Sequence, residues 1–69
     1  MKKYILRNGD YYLADLSYDY EQRELKNIVL DRDFKKIYED FDYAEEDRRL
    51  IFIETGLELK VEEYETKDN

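Results

Sequence analysis

Lys2 to Leu16 reads KKYILRNGDYYLADL, with Asn8-Gly9 set between two runs rich in aromatic and aliphatic residues. A two-residue type I′ turn needs positive φ at both central positions, and Asn-Gly tolerates that best. The pattern predicts a β-hairpin turning at Asn8-Gly9. Its register puts Arg7 opposite Asp10, Leu6 opposite Tyr11, Ile5 opposite Tyr12, Tyr4 opposite Leu13 and Lys3 opposite Ala14. Arg7 and Asp10 then form an opposite-charge pair beside the turn. One face carries Tyr4, Leu6, Tyr11 and Leu13, and the other Ile5, Tyr12 and Ala14.

Beyond the hairpin, Ser17 to Arg23 is polar and reads as a connection, although Leu16 and Tyr18 continue the alternation and could extend the second strand. Tyr18 and Tyr20 either pack over a sheet edge or form an exposed aromatic pair in a binding surface. Ile28-Val29-Leu30 is a short apolar run bounded by charges, which suits a buried strand over about Lys26 to Leu30. Consecutive elements usually neighbour each other, so this strand is expected to pair with the second. In Asp31 to Phe41, the residues Phe34, Ile37, Tyr38 and Phe41 recur at helical spacing, with Asp31 or Asp33 as an N-cap. That periodicity favours a helical turn and leaves a short strand at Lys36–Asp40 open.

The main helix is expected from Asp42 to Gly56. Asp42 suits the N-cap, an acidic first turn follows, and Glu45 stands three residues on, as in a capping box. Glu45 lies three and four residues before Arg48 and Arg49, the spacing of helical side-chain pairs. Leu50, Ile53 and Leu57 continue a stripe. Gly56 suits C′ of a Schellman end, with Leu57 packing back on Phe52. The competing reading is a strand over Arg49–Glu54 that turns at Thr55-Gly56, since Leu50-Ile51-Phe52-Ile53 has high strand propensity. Leu57 to Tyr64 alternates apolar and charged residues as a half-buried strand does. Residues 65–69 read as a disordered tail behind a single domain over residues 1–64.

Length and composition limit the chemistry. A chain of 69 residues buries only about 60% of the surface its unfolded form exposes, which leaves little room for a deep catalytic cavity. The chain has no Cys and no His, so disulfides are excluded and a zinc site would need carboxylates alone. Stability must come from packing or from self-association. Eight Tyr and three Phe supply apolar area, and a Tyr ring can be buried while its hydroxyl reaches water. Ser17 is the only Ser and sits in no nucleophile-elbow context. With Gly9 and Gly56 the only glycines, no phosphate-binding loop can be written. Asp31 and Asp33 begin like a calcium loop, but Lys36 stands where that loop needs Gly. The expectation is therefore no enzyme, no cofactor and no metal.

No signal peptide is expected, because no apolar run follows Lys2-Lys3. No stretch approaches the roughly 18 apolar residues of a membrane span. The absence of Cys fits a reducing cytoplasm. A net charge of −7 disfavours nucleic acid and anionic membrane as partners and favours basic ones. The charge is concentrated. Glu39, Asp40, Asp42, Glu45, Glu46 and Asp47 follow one another with no Lys or Arg between them. Some of these acids complement a helix start. The rest either form a solvated face or, with Tyr43 and its neighbours Tyr38 and Phe41, an interface for a basic protein.

KKYILRNGDYYL, followed by NIVLD, FDYAEE and TGLELKVEEY, resembles small uncharacterised proteins of phages and prophages of Gram-positive bacteria. The resemblance implies hairpin, strand, helix and strand in a bacterial cytoplasm, and it assigns no functional residue. The expected fold is α+β, a small antiparallel sheet led by the N-terminal hairpin with one helix on a face. The expected function is an acidic interaction protein that binds and inhibits a basic, nucleic-acid-binding host protein such as a defence nuclease, imitating nucleic-acid charge. The interaction residues would be Glu39, Asp40, Asp42, Tyr43, Glu45, Glu46 and Asp47. The alternative is a structural or accessory domain whose acidity serves solubility.

Overall fold

The computed structural model describes residues 2–65. The chain runs β1 (Lys3–Asn8), β2 (Tyr11–Asp19), β3 (Glu24–Asp31), α1 (Phe41–Thr55) and β4 (Lys60–Tyr64). The strands form one antiparallel sheet in the order β3-β2-β1-β4, and α1 packs over β1 and β4. The fold is therefore α+β, with the N-terminal hairpin at its centre. The segment 65–69 expected as a tail lies outside the described residues except for Glu65, which follows β4 without regular structure.

The turn of the first hairpin differs from the expected one. Asn8 pairs with Tyr11 and Arg7 with Tyr12, so the two-residue loop is Gly9-Asp10 and the Arg7–Asp10 pair does not form. Gly9 alone has positive φ, at 59°, which matches the type II′ preference for Gly at the first central position. Asn8 ends β1 instead, and its amide nitrogen donates to the Glu58 carbonyl at 2.6 Å. The expected register was wrong by two residues, an even slip. Side chains alternate with period 2, so Tyr4, Leu6 and Leu13 still share a face.

Beyond the turn the two strands diverge. The Lys36–Tyr38 segment enters the fork between them. Tyr4 and Tyr38 exchange both backbone hydrogen bonds at 2.8 Å, and the Lys36 N–H donates to the Leu13 carbonyl at 2.7 Å. No helical turn forms over Asp31–Phe41. The Asp31 carboxylate does accept from the Asp33 and Phe34 N–H groups, at 2.8 and 2.7 Å. This is the local geometry of a cap, but extended chain follows it.

β2 extends to Asp19, into the stretch Ser17–Arg23 expected as a connection, and β3 begins at Glu24, earlier than expected. Two register shifts interrupt their pairing. The first leaves Ala14 as an extra residue on β2, and the Asp15 carboxylate accepts the Leu16 N–H there at 2.9 Å. An extra residue reverses the alternation, so Leu16 joins Leu13 on the helix side and packs against the same core. The second shift leaves Lys26 extra on β3.

The helix starts two residues before the expected position. Asp40 is the N-cap and accepts the Asp42 N–H at 2.9 Å, so Asp42 lies in the first turn. At the other end Gly56 has φ 79° and donates to the Phe52 carbonyl at 2.8 Å. That single bond is an αL cap, not the expected Schellman pair. The Leu57 N–H is taken by the Thr55 hydroxyl, which itself donates to the Ile51 carbonyl. The competing strand over Arg49–Glu54 is absent, and β4 begins at Lys60, three residues later than expected.

Leu6, Leu13, Tyr38, Ala44, Ile51 and Leu59 form the core, with Tyr4, Leu16, Ile28, Leu57 and Val61 packed around it. On the opposite face Ile5 is also buried. Register sets Tyr12 and Tyr64 on either side of it, and the Lys35 ammonium lies over both rings, 4.5 and 5.4 Å from their centres. The entering segment therefore ties down both faces.

Candidate functional site

The fold gives the members of the acidic run different surroundings. Asp40 caps α1. Glu45 is held by the Arg48 guanidinium, and this hydrogen-bonded pairing lowers the Glu45 pKa and raises that of Arg48. Asp47 accepts the Tyr38 hydroxyl and lies 3.8 Å from the Lys36 ammonium. Burial first, then the hydrogen bond to Asp47 and its charge, push the Tyr38 hydroxyl well above the ordinary tyrosine range. Tyr38 is thus a core residue, not the exposed anchor considered from sequence. Glu39, Asp42 and Glu46 are exposed and make no ion pair among the described residues.

Glu46 and Asp47 line a groove of about 490 Å³ with Tyr43 and Leu50 from α1, and with Tyr18, Tyr20 and Arg23 from the end of the β2–β3 hairpin. The groove lies between the first half of α1 and the turn that ends the β2–β3 hairpin. The Asp19 carboxylate accepts the Glu21 and Gln22 N–H groups at 3.0 and 3.2 Å, which folds the chain back at Tyr20–Arg23. Arg23 takes a positive φ of 53° in that turn, a conformation unusual for a non-Gly residue. The Tyr18 and Tyr20 rings meet edge to face at 5.0 Å. Tyr20 is 83% exposed and Tyr43 65%. Phe41, the third aromatic of the acidic run, rests edge-on against Tyr4 at 5.5 Å.

Of the seven expected interaction residues, the structure gathers Tyr43, Glu46 and Asp47 at this groove. Glu39, Asp40 and Asp47 border a neighbouring depression with Tyr43, and Asp42 and Glu45 lie on the outer side of the helix with Glu46. The sequence singled out Tyr18 and Tyr20 but gave no sign that they would meet the acids. That meeting depends on hairpin length and on where the helix crosses the sheet. Arg23 was missed, since nothing in its sequence context marks it. A depression of about 480 Å³ at the other end of α1 includes Arg7, Arg48 and Phe52. Arg7 and Arg48 are already paired, with Glu62 and Glu45.

No group of three or more carboxylates that could hold a metal ion occurs among the described residues. No helix among them is long and apolar enough to cross a membrane. No protein-family model, curated protein or solved structure matches the chain.

Proposed function

We propose that the chain is a binding module for a basic protein, with the tyrosine groove as its contact surface. The observation that carries this reading is the convergence of Tyr18 and Tyr20 with Tyr43 and Glu46 around one groove. Exposed tyrosines give rigid contact area, and nearby carboxylates steer cationic surfaces toward it. On this reading the finer role is inhibition of a nucleic-acid-binding host protein, such as a defence nuclease, in a bacterial cytoplasm. Only the unpaired acids Glu39, Asp42 and Glu46 are available for steering, because Asp40, Glu45 and Asp47 have intramolecular partners.

The test is capture from bacterial lysate at low and raised salt, followed by association kinetics with the identified partner. The expected partner binds nucleic acid and is released by salt. Tyr20→Ala should speed its dissociation, and the triple change Glu39→Gln, Asp42→Asn, Glu46→Gln should slow its association at low salt. Kinetics unchanged in both variants would contradict the proposal. A second reading, an accessory domain, draws on the same pairing of Asp40, Glu45 and Asp47, which gives half of the acidic run a structural purpose. It predicts that no basic protein is captured.

A further inference from the structure

The chain's negative charge is unevenly spread. Residues 18–24, at the end of the β2–β3 hairpin, and residues 39–47, at the start of α1, together carry nine acidic side chains and one cation, Arg23. All the other residues carry ten acids and eleven cations. The whole net charge of −7 therefore arises in the two segments that meet at the tyrosine groove. Arg48 and Arg49 follow on the helix, but Arg48 is held by Glu45, and Arg49 lines the outer side of the helix with Ile53. The two carboxylates of the groove differ. Glu46 is exposed and makes no ion pair among the described residues. Asp47 is anchored through Oδ2, which accepts the Tyr38 hydroxyl and faces the Lys36 ammonium. Its other oxygen, Oδ1, accepts no hydrogen bond among the described residues, so an anchored carboxylate keeps one acceptor for a donor from outside.

We propose that the groove takes the side chain of an arginine from a basic protein. The inference rests on the reading of the groove as the contact surface for such a protein, and it names the group that enters. Tyr18, Tyr20 and Tyr43 supply aromatic rings, and a ring attracts a cation to its face through its quadrupole. A guanidinium is planar and weakly hydrated and carries its donors in a fork, so it can stack on a ring while it bonds a carboxylate, whereas an ammonium holds its water more tightly. Glu46 and the Asp47 Oδ1 are the acceptors for that fork, and Leu50 lies in the same groove for the methylene stem. Arg23 is the one residue of the groove that opposes such an occupant. It enters from a turn where its own φ is 53° and makes no ion pair among the described residues. A groove for an anion would depend on Arg23 and be opposed by Glu46. The two kinds of occupant therefore predict opposite signs at the same two residues.

The test is titration of the full chain with the peptide acetyl-Gly-Arg-Gly-amide at low salt, followed by NMR through the tyrosine ring protons. Saturable shifts are expected at Tyr18, Tyr20 and Tyr43 with a Kd of about 1–10 mM. The glutamine counterpart of the peptide should bind at least about fivefold more weakly, and the lysine counterpart should fall between the two. Glu46→Gln and Tyr43→Leu should each weaken the arginine peptide about threefold. Arg23→Asn, a residue that tolerates positive φ, should tighten it. All three positions are exposed, so these variants keep the fold, and Asp47 is left intact because it holds Tyr38. Equal binding of the arginine and glutamine peptides, tighter binding after Glu46→Gln, weaker binding after Arg23→Asn, or no saturable shift up to about 20 mM would each overturn the proposal. The peptide needs no captured protein, so the two readings fail separately. A basic protein captured through the tyrosines with no arginine at the contact would overturn this inference and leave the broader reading in place. Arginine-peptide binding by a chain that captures no basic protein would do the reverse.

Discussion

Leu6 and Leu30 are the same residue type on the same sheet, yet one has no exposed surface and the other keeps 36%. The difference belongs to the halves of the sheet they occupy. Around β1 and β4 the helix lies overhead, the Lys36–Tyr38 segment fills the fork, and a lysine ammonium spans two tyrosine rings on the far side. Toward the far end of β2 and along β3 the core reaches only as far as Leu16 and Ile28, and Val29 and Leu30 stay exposed. Backbone pairing alone brings the strands together, and burial depends on what is laid across them. In a chain this short, one helix closes half of a sheet and leaves apolar side chains of the other half, such as Val29 and Leu30, exposed.

The largest test of this contrast is a truncation in the closed half. Ile51 is fully buried against the sheet, so Ile51→Ala should cost about 2–5 kcal/mol in denaturant unfolding. Gly9→Val should cost about 1–3 kcal/mol by forcing a β-branched residue to positive φ. No neighbouring atom lies within 4 Å of a Cβ placed there, so a smaller loss would show that the turn relaxes freely. Asp40→Ala should cost about 1 kcal/mol as a lost cap, against less for Asp42→Ala, which removes only a charge favourable to the helix dipole. Equal losses would return the cap to Asp42. In the open half, Leu30→Ala should cost well below the Ile51→Ala loss, because Leu30 keeps 36% of its surface exposed, and about 1 kcal/mol is expected.

The smallest effect is acid titration. The Asp31 carboxyl is held below its ordinary range by the Phe34 and Asp33 N–H groups, and Glu45 by Arg48. A depressed carboxylate stabilises the fold above its unfolded pKa, and the contribution is lost as pH falls through the folded value. Unfolding midpoints of the parent and Asp31→Asn should therefore differ at neutral pH and converge below the ordinary carboxylate range. Both groups are near solvent, so the gap should be small. A gap that widens in acid would show the sign to be wrong.

What could be read from the sequence was what depends on near neighbours. The sharing of faces in the first hairpin survived a wrong turn because the slip was even. Gly56 marked the helix end because only one glycine stood near it. The helix start was misplaced because Asp40 and Asp42 both satisfy the capping rule, and tertiary position decides between them. Residues 31–41 were misread for a different reason. Their apolar spacing and the Asp31 turn both imitate a helix start, while the partners that extend the segment, Tyr4 and Leu13, lie far away in sequence. The same holds at the groove. The acids were visible as charge, and the Glu45–Arg48 pair as spacing, but the engagement of Asp47 by Tyr38 and Lys36, and the approach of Tyr18 and Tyr20, depend on the sheet.

Residue-resolved amide hydrogen exchange tests the division of the sheet most directly. The account predicts that Tyr4, Leu6, Tyr38 and Ile51 exchange only through global unfolding, and that amides from Leu25 to Ile28 in β3 exchange through smaller, local openings. Protection spread evenly over both halves, or greatest in the β2–β3 hairpin, would contradict it.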